Sequence, residues 1–349
     1  MSTVLPRHAS RHPYTPQHEI RTMFNALLLE KDDAGQSAKL TTLEHSDLPD
    51  AGVLVQVDYS TINYKDALAL TGSAPIARHY PMVPGIDLAG TVEQSDDPRW
   101  PVGTRVLLNG WGVGEGHWGG LAQYARVNGD WLLEVPPSLS TRHAMAIGTA
   151  GYTAALCVNA LIDHGTVADD GPILVTGATG GVGSFSVALL AATGYQVTAV
   201  TGKPGAEAYL KSLGADGVID RATLAEPGKP LQKECWNGVI DAVGGNTLAN
   251  ACAQTRYSGA VAACGLAESP KLLTTVMPFI LRGVTLYGID SVMAPLERRK
   301  RAWQCLADHL NTEALDGMVK EISLAQALAQ ASSVMAGQVT GRLLVDVNR

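Results

Sequence analysis

The chain has 349 residues, a mass of 36.6 kDa and 46% hydrophobic residues, so it exceeds one ordinary domain and can fill two cores. Its 26 Lys and Arg against 33 Asp and Glu give a formal charge of -7, which offers no cationic field to a nucleic-acid backbone. Gly at 37 and aromatics at 5% point to tight turns and small-residue packing, the habit of an α/β enzyme.

In chain order, residues 1–22 are polar and basic without an apolar core; this excludes a secretory signal, opposes an organelle transit peptide only weakly, and predicts a disordered leader. From Met23, MFNALLLE reads as a first strand, and VLVQVDYSTINY (53–64) alternates as a half-buried strand should. PGIDLAGTVEQS and GTRVLLNG continue the short-strand rhythm to about residue 135, predicting an antiparallel, barrel-like (GroES-like) domain. Helix-like and strand-like segments then alternate: a helix near 144–164, the strand PILVTG, a helix from Gly181 to Thr193, and the strand YQVTAVTG. GAEAYLKSLGA, DGVID, WNGVIDAVG, a helix near 246–255 and GAVAACG follow. This order predicts a doubly wound parallel sheet of Rossmann type. The tail carries the amphipathic helix PLERRKRAWQCLADHL, a second helical stretch and a last strand, GRLLVDVN. The expected division is a catalytic domain over 23–147 and 291–349 around a cofactor domain over 148–290.

The longest uncharged apolar run, Met145 to Ile162, includes Gly148, Gly151 and Asn159; it reads as buried packing, so no membrane partner is expected. Five cysteines with no CxxC pair suit the reducing cytoplasm.

The strand 173–176 runs into Gly177-Ala178-Thr179-Gly180-Gly181-Val182-Gly183 and then a helix, the context of a dinucleotide fingerprint. Small residues let N–H groups approach a pyrophosphate at the helix N-terminus. Ala178 stands for the first glycine, while Gly180 and Gly183 keep the spacing. After the next strand, where an NAD site would place an acid, stand Thr201, Gly202 and Lys203; these donors favour the 2′-phosphate of NADPH. Arg221 either adds a second cation there or is a solvated surface residue.

A barrel-like domain followed by a dinucleotide fold resembles the medium-chain dehydrogenase/reductase superfamily. Where its zinc alcohol dehydrogenases carry a Cys-x-x-Asp and a Gly-His-Glu segment, this chain reads Asn63-Tyr64-Lys65-Asp66 and Gly85-Ile86-Asp87. Asn63 and Ile86 replace two ligands, and no cysteine precedes Cys157, so no metal is expected. The segments NYKDALALTG, PMVPGIDLAGTV, TGATGGVGS, VAACGLA, VMPFILRGVTLYGIDSVM and LERRKRAW resemble the acryloyl-CoA reductase group, often labelled putative quinone oxidoreductases. That resemblance covers Met23 to Arg349 and implies a zinc-free homodimer that reduces acryloyl-CoA to propionyl-CoA with NADPH. The run Gly283–Ile289 would then be a sheet edge open to a second subunit, unless it is capped within one chain.

Such a reduction builds negative charge on the thioester oxygen, which needs a positioned donor. Tyr64, at a strand end beside the lost zinc site, is the first candidate; its phenol can hydrogen-bond the cofactor, the substrate or both, or it is half-buried packing. Asp66 and Asp87 are read as carboxylates that orient Tyr64, Lys65 or Arg342, or as a structural brace. Arg342, just before the final strand, would pair bidentately with one of them, for the site or for the fold. By matching family positions alone, Leu266, Ile280, Ser291 and Gln338 are further cofactor contacts; Gln338 reads equally well as a surface residue. The run Arg298-Arg299-Lys300-Arg301 is either a solvated helix face or a site for CoA phosphates. Two other functions fit the same sequence: a reductase of quinones or other small conjugated carbonyls, and a noncatalytic NADPH-binding sensor.

Overall fold

The computed structural model describes residues 23–349; the expected leader over 1–22 lies outside the described residues. β1 (Met23–Asp32) pairs antiparallel with β2 (Gly35–Glu44). β2 is mostly exposed and carries little apolar sequence, which is why composition and periodicity passed over it. β3 (Val53–Thr61) follows, then α1 (Tyr64–Thr71), β4 (Asp87–Ser95), β5 (Arg105–Asn109), β6 (Tyr124–Val127) and β7 (Leu133–Glu134).

The strand expected through Tyr64 stops at Thr61. Asn63 has the extended backbone of a helix N-cap, and the Asp66 carboxylate accepts its N–H at 2.8 Å. A cap with an acidic residue three positions on starts a helix, and this local bonding overrides the alternation upstream. Tyr64 is therefore the first residue of α1, not a strand end.

α2 (Thr141–His164) is long and apolar enough to cross a membrane, but 83% of its most apolar stretch is buried within the protein. It packs on both large sheets and on three other helices, as a core helix does. Its one break is Gly148, at φ 51° and ψ -160°.

The second sheet holds β8 (Ile173–Val175), β9 (Val197–Thr201), β10 (Gly217–Asp220), β11 (Trp236–Asp241), β12 (Thr255–Ala263) and β13 (Thr285–Gly288). Between its strands lie α3 (Gly181–Ala192), α4 (Glu207–Ser212), α5 (Ala222–Ala225), α6 (Gly245–Gln254) and α7 (Met277–Arg282). All pairs are parallel and the order is β10-β9-β8-β11-β12-β13. The chain therefore winds outward one way from β8 and the other way from β11, and the crevice between their C-terminal ends is where such sheets bind ligands. Ile173, Leu174 and Val175 are fully buried, as a central parallel strand requires, each contributing roughly 1.5–3 kcal/mol of burial.

The chain then returns to the first sheet through α8 (Leu296–His309), α9 (Thr312–Gly317), β14 (Val319–Ser323), α10 (Leu324–Met335) and β15 (Arg342–Asp346). That sheet runs β14-β15-β3-β4-β5-β7, with β6 also on β3. A barrel-like unit and a doubly wound parallel sheet are thus both present, and β13 is an outer strand.

One element of the tail departs from expectation. Arg299 is only 2% exposed, neither a solvated face nor free for CoA. Its guanidinium donates to the carbonyls of Ala294, Asn109, Ser291 and Val292 at 2.6–3.3 Å and stacks 4.2 Å from the Trp111 ring. Lys300 and Arg301 pair with Glu297 and Asp163.

Candidate active site

Asn63 is the centre of the cluster at the start of α1. Its amide nitrogen donates to Asp87 Oδ2 at 2.8 Å and Asp66 Oδ2 at 3.1 Å, while its oxygen accepts from Arg342 Nη1 at 3.1 Å. A neutral carboxamide here joins two carboxylates and a guanidinium. Among the described residues, no group of three or more His, Cys, Asp or Glu is arranged to hold a metal.

Asp87 is fully buried and accepts four hydrogen bonds: Asn109 Nδ2 and Thr149 Oγ1 on one oxygen, Asn63 Nδ2 and Thr149 N on the other, at 2.5–2.8 Å. The break at Gly148 makes both Thr149 contacts reachable from inside a helix. A Cβ at Gly148 would stand 2.8 Å from both Asp87 Oδ2 and Arg342 Nη2, so only glycine fits between them. Arg342 is the first residue of β15 rather than the residue before it. The expected bidentate pair with an acid is not made: Nη2 donates to Thr61 Oγ1 at 2.7 Å and Nε to the Ala146 carbonyl at 3.4 Å. Burial pulls its pKa down, against the opposing pull of Asp87 and Asp66. Lys65 is also not held by these acids; it pairs with Glu115 at 2.7 Å. Tyr64 is 48% exposed, and its hydroxyl has no hydrogen-bond partner among the described residues.

Asp66 accepts the N–H groups of Asn63 and Ile86 at 2.8 and 2.9 Å, yet burial pushes its carboxyl from 3.8 up to about 6. The folded state thus binds this proton more tightly than the unfolded chain, so the contribution of Asp66 to stability falls as pH rises from about 4 to about 6. Asp66→Asn removes that titration. Urea unfolding of the two proteins at the ends of this window should show their stability difference changing by about 2 kcal/mol, with the wild type relatively weaker at the higher pH. A pH-independent difference would contradict it.

The phosphate loop occupies the crevice after β8. Gly177 has φ 59°, and a Cβ at Gly183 would collide with the Gly177 carbonyl; the Gly180 N–H closes the turn onto that carbonyl at 2.9 Å, so of the expected contacts Thr179, Gly181 and Val182 keep backbone N–H groups that can approach a pyrophosphate, while Gly180 serves by its lack of a side chain. Thr179 Oγ1 lies 3.3 Å from Thr201 Oγ1, which accepts the Lys203 N–H at 3.1 Å. A cavity of about 280 Å³ is lined by Thr201, Gly202, Lys203, Glu207 and Asp220, among others. Arg221 lies across Gly202, where a Cβ would strike its side chain. Among the described residues, neither Lys203 nor Arg221 forms an ion pair. These features fit a phosphorylated dinucleotide.

The two clusters meet at Arg342, whose Nη1 lies 3.1 Å from the place a Cβ on Gly181 would take. Of the other expected contacts, Leu266 is 59% exposed and its Cα lies beside Gly244, after β11. The Ser291 carbonyl is bonded by Arg299, and exposed Gln338 adjoins Val339, which accepts from Lys203. Ile280 is exposed on α7, which packs on β12 rather than on the loop. The sequence reading missed Thr61, Asn109 and Thr149 as partners of the cluster. Only the Gly148-Thr149 step within an apolar helical run signalled anything, since nothing apolar is gained there by either residue.

Fold and site define a two-domain oxidoreductase built on a dinucleotide sheet, with asparagine and isoleucine at positions of zinc ligands. Residues 49–137 match the alcohol dehydrogenase GroES-like domain family and residues 181–310 the zinc-binding dehydrogenase family. The chain is 55% identical to the probable acrylyl-CoA reductase AcuI of Escherichia coli (strain K12), covering 93% of this chain and 99% of that one. It is 50% identical to the acrylyl-CoA reductase AcuI of Ruegeria pomeroyi, covering 93% and 100%. The crystal structure of E. coli K-12 YhdH with bound NADPH superposes with a TM-score of 0.90 at 55% identity, covering 93% and 100%. The chain belongs to the acrylyl-CoA reductase group of the medium-chain dehydrogenase/reductase superfamily.

Proposed function

We propose that this protein reduces the carbon–carbon double bond of acryloyl-CoA: acryloyl-CoA, NADPH and a proton give propionyl-CoA and NADP⁺. The observation that carries the reading is identity of 55% and 50%, over nearly the full length, with acrylyl-CoA reductases. When bound, NADPH supplies the hydride that the β-carbon receives. The loop from Thr179 to Val182 binds the pyrophosphate, and Thr201, Gly202, Lys203 and Arg221 receive the 2′-phosphate. Tyr64 donates its hydroxyl to the thioester oxygen as that oxygen gains charge. Asp66, Asp87 and Arg342 act as positioning residues that fix Asn63 and hence the first turn of α1. The α-carbon takes its proton from solvent. Leu266, Ser291, Gln338 and Ile280 are the remaining cofactor contacts under this reading.

The catalytic unit is assigned to 23–147 and 291–349 and the cofactor unit to 148–290, which is supported by the return of β14 and β15 to the first sheet. A homodimer is assigned through the open edge of β13, supported by the exposed Leu273, Val276 and Leu281 on the preceding segment. Sedimentation at micromolar concentration should give the mass of two chains; a single-chain mass would reject the dimer. Five free cysteines suit the cytoplasm.

Turnover of acryloyl-CoA, crotonyl-CoA and a benzoquinone with NADPH, in the presence of a chelator, tests the function. Acryloyl-CoA should give the highest kcat/KM, and preference for the quinone would overturn the reading.

A further inference from the structure

Lys203 follows β9, in the cofactor sheet, yet its ammonium is held from elsewhere. Nζ donates to the Val339 carbonyl at 2.7 Å and to Thr340 Oγ1 at 3.2 Å. Both acceptors precede β15, in the part of the chain that returns to the other sheet. An ammonium has three N–H donors; two are directed at neutral acceptors and the third remains for an anion. Its positive charge is likewise uncompensated, since no carboxylate pairs with Lys203 among the described residues. The segment holding it is itself fixed. Gly341 N donates to the Thr179 carbonyl at 3.3 Å, and Gly341 has φ 72° with the Met318 carbonyl where a Cβ would go. The next residue, Arg342, is bonded to Asn63 and Thr61.

We propose that Thr340, with the Val339 carbonyl, is a specificity-determining pair for NADPH over NADH, acting by holding the Lys203 ammonium beside the cavity after β9. Thr340 is a positioning residue in this scheme: it touches Lys203, and Lys203 receives the 2′-phosphate. A lysine side chain loses rotamer freedom when it binds an anion. The tether removes much of that freedom beforehand, so its benefit appears only with a ligand that carries the phosphate. The inference rests on the NADPH reading above, and it adds that selectivity at the cofactor sheet depends on a residue outside that sheet.

The test is calorimetric titration of NADPH and NADH into the wild type, Thr340→Val, Thr340→Ser, Lys203→Ala and the double variant Thr340→Val/Lys203→Ala, with Tm recorded for each. Lys203→Ala should raise the Kd for NADPH by about 10-fold or more and leave that for NADH within about twofold. Thr340→Val, which keeps shape and loses the acceptor, should raise the Kd for NADPH by about 3- to 10-fold with NADH unchanged. Thr340→Ser should behave as wild type, and the double variant should match Lys203→Ala. Equal weakening of both cofactors by Thr340→Val, no weakening, or additive effects in the double variant would overturn the inference alone. Equal weakening of both cofactors by Lys203→Ala would overturn the NADPH reading and the inference with it.

Discussion

Replacing Tyr64 with phenylalanine should lower kcat for acryloyl-CoA by about 10²- to 10³-fold, the usual consequence of removing one donor from a developing oxyanion. Tyr64 is the first residue of α1, adjacent to the bridging carboxamide of Asn63. Its ring is 48% exposed, so little packing is lost with the hydroxyl, and Tm should stay within about 1 °C of the wild type. The hydroxyl is engaged by nothing else in the described chain, which leaves it free to serve a ligand. Steady-state kinetics and a thermal scan on the same preparation decide the point. Unchanged kcat and KM would reduce Tyr64 to a surface residue and move attention to Lys65.

The largest effect on stability is expected at Asp87. Its side chain is fully buried and satisfies four donors from three partners, and its charge favours the buried Arg342 cation. Asp87→Ala leaves the Asn63 and Asn109 amides and both Thr149 donors facing a cavity, and it removes a compensating charge. Breaking a buried charged constellation in this way costs about 3–5 kcal/mol. Urea unfolding should show that loss, whereas Asp96→Ala, an exposed carboxylate at the end of the same strand region, should stay within about 0.5 kcal/mol of the wild type. A loss below about 1 kcal/mol at Asp87 would mean that water replaces the carboxylate and that the network braces nothing.

Much of this protein is legible from residue order alone. The uninterrupted apolar run at 173–175, the Gly-rich turn and the following helix read as a buried parallel strand leading into either a phosphate loop or an ordinary tight turn, because small residues and a helix N-terminus together leave N–H groups unsatisfied. Thr201-Gly202-Lys203 in place of an acid likewise announced a phosphorylated cofactor. The loss of zinc ligands at Asn63 and Ile86 was visible as well, since metal chemistry needs particular donor atoms. What stands in the metal's place was not visible. Asn63 meets Asp87, Arg342 and Asp66 only after three segments far apart in sequence converge, and an asparagine carries no sign of which donors it will serve. Arg299 illustrates the same limit: four consecutive basic residues read as a wet helix face, yet the helix phase turned one of them inward against backbone carbonyls that no sequence pattern reveals. The Lys203 tether is tertiary for the same reason, because its acceptors are a carbonyl and a hydroxyl more than a hundred residues away. Local chemistry thus determined the fold class and the phosphorylated cofactor, while the partners of each buried polar group were decided by the packing that excludes water from them.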